Sequence, residues 1–170
     1  MIPDRSAEHW GFASFNDFFH RKFKPEARPV STDPTAVLAP GEATLIRHER
    51  QVEKNAGFTL KGQSHSLADT LNNSACTDRF VGGDVLQLLV PATGYHRWHA
   101  PVDGVVRHVE TVPGLVFGTA ELDGSGPVGQ GPSLGGAAAS STRALVFIES
   151  TAPRIGTVCL AANAPIANVK

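Results

Sequence analysis

The apolar residues of this chain come in short runs, each cut off by proline, glycine or a polar turn, and this limits what it can fold into. From Gly82 onward the runs are Val85–Val90, Val105-Val106, Val109–Val112, Leu115–Phe117, Ala144–Ile148 and Ile155–Leu160. Runs this short, bounded by Pro113-Gly114 or Asp103-Gly104, suit strands and are too brief for a helix-rich core. Thr44–Ile46 and Phe58–Leu60 read as two earlier strands, with Lys61-Gly62-Gln63 as a turn. Val85–Val90 is nearly all apolar, which predicts a strand buried on both faces. The Asp103-Gly104 pair gives a hairpin signal between Pro101 and Val106.

Helical signals are confined to two places on the N-terminal side. Ser14 reads as an N-cap with Asp17 three residues on, and Phe15, Phe18, Phe19 and Phe23 form one apolar stripe ended by Pro25. The four Phe read as core packing. Ser66 with Asp69 repeats the cap pattern before Leu67–Leu71, closed by Asn72-Asn73. Between the helices, Pro25 to Pro40 is a proline-rich connector that should run extended. Residues 122–141 are dominated by Gly, Ser, Pro and Ala and read as a long loop. The tail 161–170 loses all periodicity. The expected fold class is α+β and mainly β. An antiparallel, sandwich- or barrel-like sheet would carry short helices at 14–23 and 66–72, in one domain over residues 1–170. The 170 residues, 41% of them hydrophobic, are enough for such a core.

The densest chemistry lies in Gly94-Tyr95-His96-Arg97-Trp98-His99-Ala100-Pro101-Val102-Asp103-Gly104. His96 and His99 on a helix would share a face and suit a metal. On an extended segment, positions three apart point to opposite sides, so one His enters a site while the other packs behind it. Metal ligation is therefore disfavoured. A hydrolase triad is disfavoured too: the nearest match to a nucleophile elbow is Gly124-Ser125-Gly126 in the long loop. His9, His20, His48, His65 and His108 are isolated and read as surface or packing residues, and Glu149 as a solvated strand end. The net charge of −1 gives no footprint for nucleic acid. Two cysteines, Cys76 and Cys159, match no ligand spacing and fit a reducing cytoplasm. No window approaches the ~18 apolar residues of a spanning helix, which leaves peripheral membrane contact open.

Several blocks resemble one family. Phe15-Asn16-Asp17-Phe18-Phe19-His20-Arg21-Lys22-Phe23 with Ala27-Arg28-Pro29-Val30 resembles the entry helix of phosphatidylserine decarboxylases. Tyr95–Val106 resembles their most specific internal motif, and Val112–Phe117 the block after it. Phe58–Gly62 with Ser66–Leu71 also fits. Trp98, and the Lys61-Gly62 to Ser66-Leu67 block, look more like the soluble branch that decarboxylates aromatic amino acids such as tryptophan. The resemblance implies a carboxy-lyase acting on phosphatidylserine or a free aromatic amino acid. Its electron sink would be a pyruvoyl group, whose ketone takes the substrate amine. Members make that group by self-cleavage at a Gly-Ser-Thr or Gly-Ser-Ser, the Ser heading a separate α chain.

By the same resemblance, His99 matches the His that activates the cleavage serine, and His96 is its companion. Glu42, in Pro40-Gly41-Glu42-Ala43, stands where the family carries an acid in a Pro-Ala-Asp-Gly-like turn. Tyr95, Arg97 and Trp98 would line the substrate site, with core packing an equal reading for Trp98. Arg143–Glu149 and Gly156–Leu160 match the strands before the cleavage site, so the expectation is a β-chain portion with the serine and α chain lying beyond Lys170. Ser140-Ser141-Thr142 is disfavoured as the cut. A truncated, inactive member serving as a binding module is the alternative. A carrier domain is ranked last, because a biotinyl/lipoyl-like hairpin at 101–106 lacks its lysine. Uncovered strand edges suggest a homo-oligomer.

Overall fold

The computed structural model describes residues 4, 6–55, 58–60, 63–91, 93–114 and 142–163. Among the described residues, seven strands fall into three antiparallel sheets. Strands β1 (Thr44–Glu49) and β4 (Val85–Leu89) form one pair, with a register shift between Leu45 and Arg47. Strands β2 (Phe58–Leu60) and β3 (Gln63–His65) form a second pair. Strands β5 (Gly104–Val112), β6 (Arg143–Ser150) and β7 (Thr157–Asn163) form the third sheet in that order. Two short α-helices, α1 (Phe15–Phe19) and α2 (Leu67–Thr70), complete an α+β, mainly β architecture.

The core lies on one face of the three-stranded sheet. Val112, Leu145 and Phe147 meet Leu67 and Leu71 from α2 and Val52 from the loop after β1. Cys76, Phe80, Val85 and Cys159 pack against this cluster. Leu145 is 0% exposed and Phe147 1%; burying a side chain of this size contributes ~1.5–3 kcal/mol. Arg143, also buried, donates through Nε to the Thr70 carbonyl at 2.9 Å and through Nη2 to the Asp69 carbonyl at 2.6 Å. It thereby closes the C-terminal end of α2 from the neighbouring strand. Burial pushes its guanidinium below the usual arginine range, while the nearby charges of Glu110 and Asp69 act in the other direction.

Both predicted N-caps are present. Ser14 Oγ accepts from the Asp17 N–H at 3.1 Å, and Ser66 Oγ from the Asp69 N–H at 3.0 Å. Asp17 also reaches back to the Ala13 N–H at 3.1 Å, fixing the entry into α1.

Five expectations change. Helix α1 stops at Phe19 instead of running to Phe23; the backbone leaves helical geometry at His20, and the His20 and Arg21 carbonyls accept from Arg97. Its stripe is not core either: none of its residues is fully buried, and Phe15 is 68% exposed. Strand β4 is not buried on both faces. Among the described residues it pairs only with β1, and Leu86 is 56% exposed, since the apolar run does not specify what covers its second face. Asp103-Gly104 makes no local hairpin; it opens β5, a nine-residue strand that pairs with the distant β6. A Cβ at Gly104 would overlap the Glu149 carbonyl, so this close pairing needs glycine. Finally, Ala161–Asn163 continue β7, held by the ladder to β6 despite their lack of pattern.

Residues 115–141 lie outside the described residues. They include Leu115–Phe117, the Gly/Ser-rich stretch and Ser140-Ser141. The Lys61-Gly62 part of the expected turn lies outside as well, and Gln63 belongs to β3.

Candidate functional site

The Tyr95–Pro101 segment leaves β4 and enters β5 without joining a sheet. Its shape is set by side chains from far away in sequence. Arg21, just past α1, donates to the carbonyls of Thr93 at 2.9 Å and Gly94 at 2.7 Å. Arg97 returns the contact, donating to the His20 carbonyl at 2.7 Å through Nη2 and to the Arg21 carbonyl at 3.2 Å through Nε. Two guanidiniums thus clasp α1 and the motif together: Arg97 spreads over its two carbonyls through Nε and Nη2, and Arg21 reaches both of its carbonyls through Nη2.

The connector supplies a second anchor. Leu38 N–H donates to the Pro101 carbonyl at 2.7 Å and His99 N–H to the Pro40 carbonyl at 2.8 Å. These antiparallel bonds lay residues 38–40 along 99–101 and bring the Pro40–Ala43 turn up to the motif. At the far end the Asp103 carbonyl accepts from Thr151 N–H at 2.9 Å and ties the motif to the end of β6.

Within this frame the two histidines diverge. His96 stacks on Phe19 of α1, ring centroids 3.9 Å apart. His99 turns to Tyr95, whose hydroxyl lies 3.0 Å from Nε2. The Tyr95 and His99 rings are nearly parallel at 11°, and Phe23 stacks on Tyr95 with centroids 3.9 Å apart. Tyr95 is only 4% exposed, whereas His99 is exposed. The two histidines thus take different ring partners, His96 on Phe19 and His99 on Tyr95. Among the described residues no group of three His, Cys, Asp or Glu gathers to hold a metal.

Glu42 sits in the turn beside His99, but its carboxylate pairs with Arg28, both side chains about half exposed. Arg28 also covers the ring of Phe23, 4.9 Å from its centroid. The line Glu42–Arg28–Phe23–Tyr95–His99 therefore joins the acid and the histidine through an arginine and two rings. Trp98 is 46% exposed next to His99. Arg21, Phe23 and Arg28 were not singled out by sequence as site residues. Arg21 and Phe23 suited a helix end and a core stripe, with partners 72 and 73 residues away for Arg21, and Arg28 lay in the connector, 14 residues from Glu42. Glu149 pairs with Arg107 at 2.6 Å on the surface, in keeping with a solvated strand end.

An exposed histidine, anchored by a buried tyrosine inside a mainly β scaffold, is a candidate site for proton transfer. The chain belongs to the phosphatidylserine decarboxylase family, whose profile matches residues 15–167. A decarboxylase of Amanita muscaria, iboD, is 37% identical over 177 residues, covering 95% of this chain and 50% of that protein. The L-tryptophan decarboxylase of Psilocybe cubensis is 32% identical over 173 residues, covering 94% of this chain and 39% of that protein. A phosphatidylserine decarboxylase proenzyme of Bordetella petrii is 37% identical over 107 residues, covering 62% of this chain and 37% of that protein. The chain thus spans half or less of the length of these relatives. No helix of the described residues is long and apolar enough to cross a membrane.

Proposed function

We propose that this chain forms, as one domain, the histidine-bearing part of a pyruvoyl-dependent carboxy-lyase. Its preferred substrate is a free aromatic amino acid of the tryptophan type, with phosphatidylserine as the competing substrate. The observation that carries this is the Tyr95–His99 pair, 3.0 Å apart and fixed to the Pro40 carbonyl. The similarity to the tryptophan decarboxylase runs over nearly the whole chain, and that to the phospholipid enzyme over less of it, which favours the amino-acid substrate.

The residues fit a pyruvoyl group delivered by another chain. His99 is exposed, so a serine or ketone brought from outside can reach it. Its anchor is a hydroxyl, which occupies one ring nitrogen and leaves the other for a reacting group. When bound, the pyruvoyl ketone supplies the electron sink for loss of carboxylate. His99 acts as the base that removes the proton from the cleavage serine. Glu42, held by Arg28, sets the negative charge beside that site. Trp98 offers an exposed face on which an aromatic side chain stacks. His96, braced by Phe19, lines the same approach. The α chain is the required partner, and the free thiols of Cys76 and Cys159 suit a reducing cytoplasm.

The test is release of carbon dioxide from carboxyl-labelled L-tryptophan and from phosphatidylserine vesicles by protein isolated from its native source. Intact-mass analysis of the same protein looks for a pyruvoyl-bearing partner. The expected result is faster release from tryptophan, abolished by His99→Ala. Release from neither substrate would remove the proposal, and release from phosphatidylserine alone would reverse the substrate order.

A further inference from the structure

Tyr95 stands in the motif as a candidate to line the substrate site, yet it is 4% exposed. One face of its ring is taken up by Phe23, with centroids 3.9 Å apart at 24°. Its backbone sits between two fixed points: the Gly94 carbonyl held by Arg21 at 2.7 Å, and Arg97, whose side chain is locked onto the His20 and Arg21 carbonyls. A ring enclosed in this way has little surface to offer a substrate. What it does present is its hydroxyl, and that hydroxyl points at one nitrogen of His99.

We infer that Tyr95 is a positioning residue for His99: its hydroxyl occupies Nε2 and leaves Nδ1 as the nitrogen that exchanges protons with the reacting groups. The inference deepens the proposed base role of His99 and rests on it. The proton count fixes the tautomer. A neutral imidazole carries one N–H and one lone pair. If the resting proton sits on Nε2 it donates to the Tyr95 oxygen, and the lone pair on Nδ1 is free to accept. The proton leaving the attacking hydroxyl then goes to Nδ1. The imidazolium so formed keeps the same Nε2–H bond to Tyr95, so the ring need not turn during uptake or return of the proton. With the opposite tautomer, Nε2 would accept from the tyrosine and no lone pair would face outward. The parallel arrangement of the two rings, 11° apart, restricts rotation of the imidazole and keeps Nδ1 aimed in one direction.

The decisive measurement is a long-range proton–nitrogen spectrum of the chain labelled in its histidines, at about pH 8, where an ordinary imidazole is neutral. His99→Gln identifies the signal. The expected pattern is an Nε2–H tautomer for His99. In Tyr95→Phe, which keeps the stack on Phe23 and removes only the hydroxyl, the Nε2 proton should exchange with water about tenfold faster, the factor one side-chain hydrogen bond supplies. An Nδ1–H tautomer in the native chain, or unchanged exchange in Tyr95→Phe, would overturn the inference. The native spectrum alone decides the tautomer, whether or not the variant folds. An inactive protein with Nε2–H His99 upholds this assignment while removing the decarboxylase reading, and an active protein with Nδ1–H His99 does the reverse.

Discussion

The three-stranded sheet and the segment that carries His99 keep their shapes by different means. In the sheet, β6 is hydrogen-bonded along both edges, and Leu145 and Phe147 are sealed beneath α2. Many small contributions from ladder bonds and apolar burial act together there. The Tyr95–Pro101 segment has no ladder. Arg21 and Arg97 hold it through main-chain carbonyls, and Phe19 and Phe23 hold it through ring stacks. The first region decides whether the chain folds, while the second decides where one imidazole points. Losing a single contact should therefore unfold the one and merely loosen the other.

The sharpest way to break this contrast is to remove the centre of the core. Phe147→Ala should cost ~3–5 kcal/mol, read from urea denaturation. A loss below about 1 kcal/mol would mean the sheet is not what holds the fold.

A smaller effect comes from Cys159, whose thiol is pushed up to about 12 from 9.0, mainly by burial. Below pH 9.0 the thiol is protonated in both folded and unfolded chains and has no effect on the pH dependence. Between 9.0 and about 12 the unfolded chain gives up the proton and the folded chain keeps it, so stability should fall as pH rises. The slope from this one group is ~1.4 kcal/mol per pH unit. Alkaline denaturation of Cys159→Ala should be correspondingly flatter, and an unchanged curve would show that the thiol is not sealed.

The smallest effect on stability is expected at the clasp. Arg97→Gln should lower global stability by about 1 kcal/mol, while amide exchange over residues 93–99 speeds up markedly. If its denaturation midpoint fell as far as that of Phe147→Ala, the two regions would be one cooperative unit and the contrast would be lost.

What the sequence made legible follows the same division. Ser14 with Asp17 and Ser66 with Asp69 are local signals, and both caps form. Ala144–Ile148 lies within β6 because a run of branched and aromatic residues between turns has few alternatives. Pairing of His99 with the Pro40–Ala43 turn is met at the backbone, through the bond to the Pro40 carbonyl. The carboxylate of Glu42 goes to Arg28 instead, a partner 14 residues back that no periodicity indicates. The end of α1 was misplaced for a related reason. A helix stripe read from Phe spacing takes no account of an arginine 77 residues on that claims the carbonyl at its C-cap. The half-exposure of β4 escaped because an apolar run says only that burial is favourable, not that a neighbour exists to provide it.

The clasp also carries a consequence for timing. Its bonds join residues 72 to 77 positions apart, and closing a span of that length in a loose chain is entropically slow. The intervening strands and α2 must first draw the two ends near each other. Until then nothing fixes Tyr95 or aims His99. The Tyr95–His99 arrangement is therefore expected to be set late in folding, after the strands between its anchors have formed.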